Sequence, residues 1–201
     1  MALHAALPPN AARHAVHAML GQPSTASAFR TPAARLAAPD ALALSTPHRV
    51  AFLPLDRIGA KTTLRGDAEM RGWRFLVHHG DRIVAAATTV AGARGTHRLG
   101  HLNQGPFVAG TEQAIRRAEA HHATRQRHFE PVYLMVPALY VMALWLRDLE
   151  GERDRVMIIP PAPREFAAYG MLTARTFVAR LVRLTGMPRS RSAKRRSATG
   201  R

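Results

Sequence analysis

The stretch Trp73-Arg-Phe-Leu-Val-His-His79, Gly80-Asp81, Arg82-Ile-Val-Ala-Ala-Ala-Thr-Thr-Val90 decides the fold class. Two runs of aromatic, β-branched and small apolar residues flank a two-residue turn signal. Glycine and aspartate both accept the left-handed backbone that a tight connection needs, so the segment predicts a β-hairpin.

Upstream, Arg49-Val-Ala-Phe-Leu-Pro-Leu55 predicts a strand. Pro54 has no N–H to give to a ladder, which places that strand at a sheet edge. Downstream, residues 91–110 hold five glycines and Pro106, a loop signal with room for a short strand over 98–102. Thr111 is a capping residue for a helix over 111–126, in which Glu112 and Arg116 stand in the favourable i,i+4 order.

The most apolar run, Pro131 to Leu146, spans 16 residues and contains two prolines. A spanning helix needs roughly 20 apolar residues, so no transmembrane span is expected. The run reads instead as two buried strands, or a strand and a short helix, split at Pro137. Met142–Leu146 and Val156–Ile159 then pair as a second hairpin around the charged residues 147–154. Residues 164–185 show helical spacing, with Phe166, Tyr169, Gly170, Thr173, Phe177, Leu181 and Leu184 on one face, and Gly186 and Pro188 end the helix.

These elements sum to one α+β domain over 47–186. It has an antiparallel sheet of two hairpins plus an edge strand, with helices 111–126 and 164–185 packed on one face. Residues 1–46, rich in alanine and proline, read as a flexible arm holding a short helix over 11–20. Residues 187–201 read as a disordered basic tail. No secretory apolar segment stands near the start, and a cytoplasmic location is the expectation.

The formal net charge is +16, from 29 Lys and Arg against 13 Asp and Glu. It is unevenly spread: +2 over 1–46, +5 over 47–160 and +9 over 161–201. Such an excess points to an acidic partner such as RNA or DNA, although arginine and alanine enrichment also follows from a GC-rich coding sequence. Arg189, Arg191, Lys194, Arg195 and Arg196, assisted by Arg175 and Arg183, are the candidate phosphate contacts. No RNP pattern, helix-turn-helix or zinc finger supports base readout, so the expected mode is non-specific.

The chain has no cysteine, which excludes disulfides, thiol nucleophiles and cysteine-bearing metal motifs. Serine is absent from residues 46–189, so a domain drawn at 47–186 holds no serine nucleophile. Gly59-Ala-Lys61-Thr62-Thr63 falls short of a phosphate loop because Ala60 precedes the lysine, and it reads as a turn. No G-x-G-x-x-G occurs, and no cofactor is implied.

Among the 11 histidines, His97 and His101 are four apart and His121 and His122 adjacent, matching no standard metal spacing. Asp148, Glu150, Glu152 and Asp154 lack the glycine and terminal glutamate of a calcium loop and read as a solvated hairpin tip. Two alternatives stand beside the nucleic-acid reading. One is a small enzyme using histidine and carboxylate acid–base chemistry at the 92–110 loop, with His97, His101, Asn103 and Glu119 as candidates. The other is a protein-interaction domain without nucleic acid.

Overall fold

A computed structural model describes residues 3–22, 29, 41–125 and 127–186 of the chain. In chain order the elements are α1 (Asn10–Leu20), β1 (Leu42–Phe52), α2 (Leu64–Asp67), β2 (Glu69–His79), β3 (Arg82–Ala91), β4 (His97–Asn103), α3 (Pro106–Ala120), β5 (Phe129–Val136), β6 (Val141–Asp148), β7 (Arg155–Ile159), β8 (Met171–Thr173) and α4 (Ala174–Leu184).

The eight strands form one sheet in the order β4-β3-β2-β1-β5-β6-β7-β8. Each half is an antiparallel meander. The halves meet at a parallel seam where Arg49 to Phe52 of β1 run beside Val132 to Met135 of β5. The expected sheet of two hairpins plus an edge strand is therefore too simple. Both hairpins are present, 69–91 about the turn Gly80-Asp81 and 141–159 about residues 149–154, but they sit in a larger mixed sheet.

The strand expected at the edge is central. β1 ends at Phe52, so Pro54 falls outside the ladder and withholds no hydrogen bond from it. Pro137 does split the apolar run, opening a short turn between β5 and β6.

The helices cover both faces rather than one. On one face α4 buries Phe177, Val178, Leu181 and Val182 against Val132, Leu134, Ala143, Trp145 and Ile158. On that same face α1 buries Ala12, Val16 and Leu20 against Phe75, Val77 and Ala85. Residues 10–20 and 42–46, expected within a flexible arm, thus belong to the folded body. Composition understated them because alanine on a helix face can pack a sheet closely without bulk. On the opposite face α3 places Ala114, Ile115 and Ala118 on Phe129, Tyr133, Leu144 and Leu146.

Two helix boundaries differ from expectation. α3 begins at Pro106, after Gly105 turns at a φ of 109° that favours glycine, and Thr111 lies inside the helix donating to the Phe107 carbonyl at 2.6 Å. α4 begins only at Ala174, because residues 171–173 pair with β7 before Thr173 caps the helix by accepting from the Thr176 amide. Phe166 still reaches the core, its ring centroid 5.6 Å from that of Phe177.

Among the described residues no helix is long and apolar enough to cross a membrane.

Candidate anion-binding site

The α3 face of the β1–β4 half is polar where a sheet interior is ordinarily apolar. Strand pairing sets Arg74 of β2 opposite His48 of β1 and Thr88 of β3, and Thr88 in turn opposite His101 of β4. The four side chains form one transverse row, with Tyr133 of β5 beside it.

Two bulges build the row. In β1 the register shifts between Ser45 and His48, where one extra residue turns His48 onto the Arg74 face. In β4 the shift at Gly100 leaves Leu99 opposite Thr89 on the α1 face and moves His101 opposite Thr88 on the α3 face. A Cβ at Gly100 would lie 2.9 Å from Val90 Cγ2 and 3.3 Å from the Thr88 carbonyl, so a side chain there would crowd β3.

Burial makes the row unusual. Arg74 and His48 are 0% exposed and Thr88 is 4% exposed. The Arg74 guanidinium stacks 4.2 Å from the Tyr133 ring centroid. Among the described residues its Nε, Nη1 and Nη2 nevertheless have no hydrogen-bond partner, and neither do His48 Nε2 or Thr88 Oγ1.

A desolvated cation–π contact stabilises by about 2 kcal/mol. Taking a guanidinium out of water costs several kcal/mol, so the ring alone does not compensate it. The buried carboxylates make the contrast. Glu130 pairs with Arg49 and Arg147, Asp148 with Arg127, and Asp154 with Arg65. Arg74 has no carboxylate partner among the described residues.

The charge of Arg74 is felt along the row. Burial first, and then Arg74, hold the imidazole of His48 down to about 3, against a weaker opposing pull from the Thr46 carbonyl. The same two causes lower His101. For Tyr133 burial outweighs Arg74, and the phenol is raised.

Of the residues expected to act in acid–base chemistry, His101 and Asn103 share the Arg74 face, with Asn103 opposite Ala86. His97 lies on the other face, 3.5 Å from Thr89 Oγ1, and Glu119 is exposed on α3. The structure thus joins His101 and Asn103 to Arg74 and His48, and not to a carboxylate.

Drawing the domain at residue 47 excluded a serine that the sheet in fact contains. Ser45 of β1 lies on this same face with its Oγ 2.5 Å from His78 Nε2. A hydroxyl bonded to an imidazole is the first half of an activated nucleophile. No carboxylate orients His78 among the described residues.

Arg74 was legible in one respect. It stands inside Trp73-Arg-Phe-Leu-Val77, where both faces of the strand are otherwise apolar, so a charge there has to be buried. His48, Thr88 and Tyr133 carried no such local signal.

A separate groove of about 690 Å³ runs between residues 59–65 and α4, with Lys61, Arg65 and Arg175 set against Glu152 and Asp154. Three cations facing two carboxylates leave it weakly basic. Arg183 is exposed on α4, and Arg189, Arg191, Lys194, Arg195 and Arg196 lie outside the described residues.

The expected solvated hairpin tip holds for Glu150 and Glu152, which are exposed, whereas Asp148 and Asp154 are 2% and 5% exposed and form an ion-pair hub. Among the described residues no three His, Cys, Asp or Glu side chains gather to hold a metal ion.

Comparison with known proteins adds no assignment. No family model matches the chain, and neither the curated proteins nor the solved structures give a significant match. The row itself carries the functional argument.

Proposed function

We propose that this protein is a small-molecule binding domain whose ligand is an anion anchored by Arg74. The observation that carries the reading is a fully buried guanidinium with no hydrogen-bond partner among the described residues, beside an equally unpartnered imidazole nitrogen and hydroxyl. A guanidinium offers five N–H donors in a planar fork suited to carboxylate or phosphate oxygens. The row leads outward through Thr88 to His101, which is exposed on the edge strand β4.

The test is Arg74→Met. Exchanging an uncompensated buried charge for an apolar side chain of similar length is expected to stabilise the ligand-free protein by about 1–4 kcal/mol. The same exchange should abolish stabilisation by small anions. Thermal unfolding of both proteins across concentration series of acetate, phosphate and sulfate reads both effects. Equal anion stabilisation in Arg74→Met would overturn the reading.

A second reading rests on the charge distribution: residues 161–201 carry +9 of the total +16. In it the arginine-rich segment neutralises nucleic-acid phosphates without base readout, with Arg175 and Lys61 contributing from the groove. Fluorescence anisotropy of intact protein and a 1–188 truncation on duplex DNA over a salt series tests it. The intact chain's log K is expected to fall up to about five units more steeply per decade of salt. Parallel salt slopes would reject this reading and leave the Arg74 site untouched.

A further inference from the structure

If the row is an anion site, the hydrogen-bonding sense of its members narrows what the anion can be. His48 Nδ1 lies 2.6 Å from the Thr46 carbonyl oxygen. A carbonyl only accepts, so Nδ1 carries the proton of that bond. A second proton on Nε2 would set an imidazolium beside the Arg74 cation, away from water, and the neutral tautomer follows. His48 Nε2 is therefore a lone pair, buried and without a donor.

The backbone enforces this arrangement. The carbonyl that fixes the tautomer belongs to Thr46, whose φ of 47° is a left-handed conformation that β-branched residues rarely adopt, and Pro47 follows it. Strain of this kind persists where surrounding structure over-determines it, and it gathers at functional sites. Here it lies within the bulge that turns His48 toward Arg74.

Neighbours across the β1–β2 pair thus present a donor group and an acceptor that make no hydrogen bond to each other. Arg74 offers donors and needs an oxyanion. His48 offers an acceptor and needs an O–H or N–H. A bare anion satisfies the first and turns its own lone pairs on the second. One with a hydroxyl next to the charge satisfies both, while Thr88 Oγ1 can donate or accept.

We propose that the ligand of this site is an oxyanion carrying its own O–H group, a 2-hydroxycarboxylate or a protonated phosphate, whose hydroxyl donates to His48 Nε2 while its charged oxygens meet Arg74. The inference rests on the anion reading above, and matched probes separate the two. Glycolate and acetate differ by the hydroxyl. Near neutrality, phosphate keeps at least one proton and sulfate keeps none.

Calorimetric titration of the full chain with these four probes is expected to show glycolate and phosphate binding at least about tenfold tighter than acetate and sulfate, the effect of one buried hydrogen bond. His48→Phe should erase the preference within each pair while retaining some binding of all four. Nitrogen NMR of the wild-type imidazole gives a second readout that needs no variant. His48 Nε2 should appear unprotonated in the free protein and shift on addition of phosphate but not of sulfate.

Equal affinities within both pairs would overturn this inference and leave the anion reading standing. Binding by none of the four would overturn both. A protonated Nε2 in the free protein would overturn the inference alone. Discrimination by glycolate only, or by phosphate only, supports it and selects between the two sources of the same chemistry.

Discussion

Asp154→Ala is expected to destabilise the protein by about 3–5 kcal/mol, the cost typical of removing one partner from a buried ion pair. The Asp154 carboxylate is 5% exposed and accepts four hydrogen bonds. Oδ1 takes Arg65 Nη2 at 2.6 Å and the Asp148 amide at 2.9 Å, while Oδ2 takes Arg65 Nε at 3.0 Å and Trp145 Nε1 at 3.0 Å.

The four donors fare differently when the acceptor is lost. Arg65 is 37% exposed at its side chain and can turn to water. The indole N–H and the Asp148 amide cannot, and each buried unsatisfied donor costs about 1–3 kcal/mol. Asp154→Asn retains one acceptor oxygen and should lose less. Urea unfolding of the three proteins checks the order: wild type, Asn variant, Ala variant. A loss under about 1 kcal/mol for the alanine variant, within the range of exposed ion pairs, would show that the hub is not the anchor of the β6–β7 hairpin.

The second large effect is on pH dependence. In the fold His48 holds its proton only below about 3, because burial and the Arg74 charge both oppose the cation; when unfolded it titrates near 6.5. The unfolded chain therefore takes up a proton that the folded chain refuses. Above about pH 6.5 this group contributes no slope. Below it, stability falls by about 1.4 kcal/mol per pH unit until the folded pKa is reached.

Between about pH 6.5 and 4.5 the loss from this residue amounts to about 2 kcal/mol. His101 and His121 are lowered as well and add to the wild-type curve. The difference between wild type and His48→Phe, from urea unfolding at several pH values, isolates His48. A constant difference across that range would mean that His48 takes its proton within the fold.

The two effects mark the two kinds of polar burial in this sheet. Around Asp154 the buried charge is matched by Arg65, and removing a partner is costly. Around Arg74 the buried charge is unmatched among the described residues, and removing it is expected to stabilise. On the anion reading the destabilising group at the centre of the sheet is the ligand's anchor, and this asymmetry is what the Arg74→Met experiment reads.

Local pattern carried part of this fold. The Gly80-Asp81 turn, the break at Pro137 and the pairing of Met142–Leu146 with Val156–Ile159 all follow from residues within about one hairpin of each other, where turn chemistry and apolar runs determine the partner. The absence of cysteine and the basic balance are likewise properties of the sequence alone.

The parallel seam was not legible. It joins residues 49–52 to residues 132–135 across some 80 residues, with no turn to announce it, and depends on α3 carrying the chain back over the sheet. The site depended on that seam. Tyr133 comes under Arg74 only because β5 lies beside β1, and His101 joins the row only because the bulge at Gly100 reverses which side of β4 faces α3.

Gly100 and Pro47 are visible in the sequence as interruptions. Whether an interruption is a loop or a bulge depends on which strand runs alongside, because the inserted residue is defined by the partner it fails to match. Sequence thus determined which short segments pair with their neighbours. Tertiary structure alone decided that Arg74, His48 and Thr88 are buried together with no counter-charge among the described residues.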